Sequence, residues 1–92
     1  MDRTEFLNFL NKKYTSNSSN SRLCRLVKVE KLLVKDPDEI VADDSQMFSA
    51  LQQIDTGNAR ADNDLKNALR TYYEFKNGKS FAKERDYVKS GK

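Results

Sequence analysis

The sequence predicts an all-α fold: four helices and one extra short helical turn. Three observations lead there. Apolar residues recur three and four positions apart through most of the chain. Alternating runs of β-branched residues, which would mark strands, are missing. Proline occurs once and glycine three times, away from the periodic stretches.

The first helix is expected over Thr4 to Lys13, capped by Thr4, with Phe6, Phe9, Leu10 and Tyr14 facing inward. The run Thr15-Ser16-Asn17-Ser18-Ser19-Asn20-Ser21 follows. Its side chains compete with the backbone for hydrogen bonds, so it reads as a loop leading into a cap. The second helix is expected over Ser19 to Val34. Leu23, Leu26, Val27, Leu33 and Val34 take its inner side, and Arg25, Lys28, Lys31 and Lys35 its outer side. Glu30 falls in the apolar stripe and needs a partner, whereas Leu32 falls among the cations.

Asp36-Pro37-Asp38-Glu39 is a helix start: cap, proline at the first turn, and an acid to complete a capping box. Only Ile40 and Val41 follow as anchors, which makes this the short turn. Asp43-Asp44-Ser45-Gln46 starts the next helix, with Met47, Phe48, Leu51 and Ile54 inside and Thr56-Gly57-Asn58 as the stop. The last helix runs from Asn58 to Asn77. Ala61, Leu65, Ala68, Leu69, Tyr72 and Phe75 form its inner stripe, and Lys66, Arg70, Tyr73 and Asn77 form a second row beside it. Gly78 is placed as its C-terminal cap. One helical domain over 1–82, with Phe81 folding back on the core, leaves 83–92 as a polar basic tail or linker.

With 92 residues, of which 34% are charged, the chain suits a small domain with a thin core. No apolar run approaches the roughly 20 residues of a membrane helix. Histidine is absent and cysteine occurs once, at Cys24. The commonest general base is therefore missing, and so are the usual zinc ligands. No nucleophile has a neighbouring imidazole, and the glycines at 57, 78 and 91 form no phosphate-cradling loop. These absences lead to the expectation of a non-enzyme without metal or cofactor. A lone cysteine and no secretory apolar segment after Met1 point to a reducing cytoplasm.

Charge is segregated. Residues 1–35 carry +5, residues 36–64 carry −7 and residues 65–92 carry +5, for a net charge of +3. Two basic helical rows can neutralise phosphates along a duplex, and Tyr73, Asn77 and the polar segment 15–21 add neutral donors. The alternative is a small helical adaptor that binds protein through its acidic middle or an apolar patch around Leu32.

The segment from Ser21 to Leu33, then Asp36-Pro37-Asp38-Glu39-Ile40, then Leu65 to Lys79, resembles the N-terminal, SAM-like core-binding domain of phage integrases and other tyrosine recombinases. The final helix of that family commonly reads alr-x-Y-x-x-F, as Ala68-Leu69-Arg70, Tyr72 and Phe75 do here. Leu23 stands nearest the place where the family has an aromatic residue in the second helix. The resemblance implies a small orthogonal four-helix bundle that clamps one side of double-stranded DNA. A C-terminal catalytic domain or other recombinase subunits would be its partners. The family's catalytic motifs have no counterpart, so Tyr72, Tyr73 and Tyr87 inherit no nucleophile role. The expected DNA-contacting residues are Arg25, Lys28, Lys31, Lys66, Arg70 and Lys79, joined by Arg22, Tyr73 and Asn77.

Overall fold

The structure, a computed structural model, describes residues 2–79 and 81; the tail expected over 83–92 lies outside the described residues. Five helices follow one another: α1 (Arg3–Asn11), α2 (Ser16–Leu33), α3 (Pro37–Val41), α4 (Asp44–Gln53) and α5 (Ala59–Asn77). Among the described residues there is no strand, so the all-α expectation is met, with α3 as the short turn. No described helix is long and apolar enough to cross a membrane.

Helix starts follow side-chain capping. Asp36, Asp43 and Asn58 cap α3, α4 and α5 by accepting hydrogen bonds from first-turn amides; the first two follow their sequence contexts, whereas Asn58, expected in the stop of the preceding helix and as the first residue of the last, is the cap of α5. Two boundaries are corrected. Asp2, not Thr4, caps α1, its carboxylate accepting from the Glu5 amide at 3.3 Å. α2 begins at Ser16, because the Thr15 hydroxyl takes the Ser18 amide and Ser19 turns into the core. Most of the supposed loop is therefore the first turn of α2; burying one face there outweighs the weak helix preference of Ser and Asn.

Gly78 ends α5 with φ 72, a left-handed conformation that glycine adopts without a Cβ clash. Val34 ends α2 in the same conformation, with φ 52, and is 88% exposed. The inward position expected for Val34 is thus corrected: the chain has left the helix there. Val29 supplies the buried contact instead.

The core lies where α5 packs against α1, α2 and α3. Phe6, Leu10, Leu26, Met47, Leu51, Leu69 and Tyr72 are fully buried. The rings of Phe6 and Tyr72 meet edge-on at 4.9 Å, and Phe75 stands 5.5 Å from Phe6 and 5.3 Å from Phe9. Phe81 returns to the core, as expected, its ring 5.0 Å from that of Tyr73. Ala61 departs from the expected inner stripe and is exposed.

Candidate nucleic-acid interface

α2 lies on the bundle with its Leu26–Val29 side inward, which leaves its charged side to solvent. Three of the expected contact residues, Arg25, Lys28 and Lys31, stand there, and Arg22 stands half-buried at its edge. The Arg22 guanidinium sits 4.2 Å over the Tyr14 ring, which holds it in place without neutralising it. Arg25 reaches Asp64 of α5 at 3.9 Å. Lys28 and Lys31 are exposed, and among the described residues neither has a carboxylate within ion-pair range.

The neutral donors of segment 15–21 join this face. Asn17, Ser18 and Ser21 line a shallow recess with Arg22 and Arg25. A second recess continues through Asn20, Ser21, Cys24, Arg25 and Lys28. Shared walls make these one polar groove along the first three turns of α2. Its upper end is the helix N-terminus, where unpaired amides add positive potential. Such a surface can hold anionic oxygens by charge and by hydrogen bonding together.

The second row behaves differently. Consecutive helical residues turn about 100°, so Asp64 and Lys66 leave α5 about 200° apart. Asp64 faces α2. Lys66 lines a recess with Gln52, Ile54, Asp55 and Asp62 instead, and Asp62 is held below its ordinary carboxylate range by Thr56 first and by Lys66 in smaller part. Arg70 is half-buried, its Nη1 donating to Asn67 Oδ1 at 3.3 Å. The expectation that both rows turn their cations in one direction is therefore corrected: the rows occupy opposite flanks of α5.

Two further expectations are corrected. Tyr73 is 2% exposed, and its hydroxyl donates to Asp44 at 2.7 Å. Asn77 donates from Nδ2 to the Val41 carbonyl at 3.0 Å and to the Tyr73 carbonyl at 3.1 Å. Both brace α5 against the α3–α4 segment and present no donor to a ligand. Lys79 is exposed beyond Gly78, away from the α2 row in sequence.

The acidic middle has structural work. Asp36, Asp43 and Asp55 accept backbone amides, and Asp62 accepts both the amide and the hydroxyl of Thr56. Asp38 accepts from the buried Tyr72 hydroxyl, which in turn accepts from the Asp2 amide at 3.0 Å. Glu30 finds the partner its position requires in Arg3, at 3.7 Å. Among the described residues no cluster of His, Cys, Asp and Glu could hold a metal ion.

Sequence reasoning missed Arg3 and Asp64 as parts of this face. Arg3 lies outside the periodic row, and Asp64 reads as one more acid of the middle segment. No family model, no curated protein and no solved structure matches this chain.

Proposed function

We propose that the protein is a non-catalytic DNA-binding module that lays the outer face of α2 along the phosphate backbone of a duplex. The observation that carries this is the pairing state of Lys28 and Lys31: exposed and, among the described residues, without carboxylate partners, they continue a groove already lined by Arg22, Arg25, Asn17 and Ser21. Phosphate neutralisation needs cations whose charge is not spent within the fold. The likeness to integrase core-binding domains supports the same reading and adds a catalytic recombinase domain as the partner. A clamp built from two rows is replaced by docking through one helix.

Recognition through the backbone is modest in sequence preference, because phosphates carry no base information. Four cations in contact give a log affinity that falls against log salt with a slope of about −3 to −4. Titration of a fluorescent random-sequence duplex over a salt series tests this. Binding with that slope, accompanied by amide shifts on α2, is expected; no binding at low salt contradicts the proposal. The adaptor reading through residues 36–64 is weakened, because those carboxylates are occupied as helix caps and tyrosine acceptors.

A further inference from the structure

The α2 face also carries a feature that a phosphate backbone leaves unused. Leu23 and Val27, one helical turn apart and half-buried, floor a shallow recess of about 390 Å³ with Cys24 beside them. Arg3, Lys28 and Lys31 stand on its rim. Leu23 and Val27 lie on the side of α2 away from Arg25 and its α5 partner Asp64, with Arg3 of α1 beside them, and Leu23 also packs in part against the core. At the C-terminal end of the same helix, Leu32 is 44% exposed and Val34 88% exposed. Val34 holds a left-handed conformation that disfavours a β-branched side chain, so folding alone gives no reason for a valine there.

We propose that this recess docks an acidic amphipathic peptide segment of a partner protein. Its apolar side chain sits on Leu23 and Val27, and its carboxylates meet Arg3, Lys28 and Lys31. Charge complementarity selects this occupant. A neutral apolar segment would leave Lys28 and Lys31 facing nothing, and a duplex would leave the apolar floor unused. A second copy of this chain is a poor occupant, because Asp36, Asp43 and Asp62 of its acidic middle already accept hydrogen bonds within the fold. Lys28 and Lys31 also belong to the proposed DNA face. On that reading, which this one consequence rests on, peptide and duplex exclude each other.

The test uses the full chain and two labelled helical peptides of equal negative charge, one with leucines along one face and one with serines in their place. The leucine peptide binds, shifts the Leu23 and Val27 methyl resonances, and is weakened about tenfold by the serine replacement, as burial of one apolar side chain requires. Val27→Ser weakens the leucine peptide and leaves duplex binding unchanged, whereas Lys31→Glu weakens both. Equal binding of the two peptides overturns the proposal, because the face then reads charge alone. Binding of neither peptide overturns it as well, whatever the duplex does. A duplex that fails to bind while the leucine peptide still binds removes the DNA reading and leaves the docking site standing.

Discussion

Asp64 on α5 stands 3.9 Å from Arg25 on α2 and sets a carboxylate at the edge of the cationic groove. Both side chains are substantially exposed, at 39% for Arg25 and 46% for Asp64, so the pair adds little to stability. Its larger effect is on the field a phosphate meets. Asp64→Asn is expected to tighten duplex binding about threefold to tenfold while leaving the unfolding midpoint nearly unchanged. Fluorescence titration at fixed salt checks the first and thermal unfolding the second; weaker binding in this variant would place the duplex elsewhere.

Lys66 and Arg70 occupy the other flank of α5, with Lys66 beside Asp55 and Asp62. The double change to Ala is therefore expected to lower duplex affinity less than about threefold. A loss as large as that from changing Lys28 and Lys31 would restore the two-row clamp.

Ser19 is fully buried, and its hydroxyl finds no hydrogen-bond partner among the described residues. A buried unpaired hydroxyl is costly, and alanine is the better helix former. Ser19→Ala is expected to stabilise the fold by about 0.5–1 kcal/mol, raising the midpoint by several degrees. A lower midpoint in calorimetry would show that the hydroxyl is satisfied by water.

Tyr72 and Tyr73 link the fold to alkaline pH. Burial first, then the Asp38 carboxylate, pushes the Tyr72 hydroxyl well up from its ordinary value. Burial first, then Asp44, pushes Tyr73 up to about 12. Both phenols must be neutral in the folded state, whereas the unfolded chain ionises them near pH ~10. Their contribution is full below that pH and is lost as pH rises through about 12. Cooperative unfolding in that window, followed by phenolate absorbance and circular dichroism together, is the expected result. Tyr72→Phe should lower stability at neutral pH by about 1–2 kcal/mol, since it removes the acceptor of the Asp2 amide and the hydroxyl donor to Asp38, whose carboxylate keeps Lys76 nearby.

Much of this fold is written locally. Asp36-Pro37 and Asp43 announce their helices because capping is chemistry between near neighbours in the chain. Gly78 marks the end of α5 for the same reason. The start of α2 is not legible, because what decides it is the burial of Ser19 against other helices. Tyr73 and Asn77 show the same limit at the site. They share a row with Lys66 and Arg70, yet their partners Asp44 and Val41 lie on segments that periodicity cannot place. The α2 row was readable because exposed cations on a helix need only the 100° rule. The opposition of the two rows was not, since it depends on which neighbour each flank of α5 meets.

The salt dependence of duplex affinity in Lys28→Ala/Lys31→Ala tests the central claim most directly. Loss of two phosphate contacts is expected to reduce the magnitude of the log–log slope by about 2 relative to the unaltered protein, with the fold intact by circular dichroism. An unchanged slope would mean that these two lysines touch no phosphate and that the outer face of α2 is not where DNA lies.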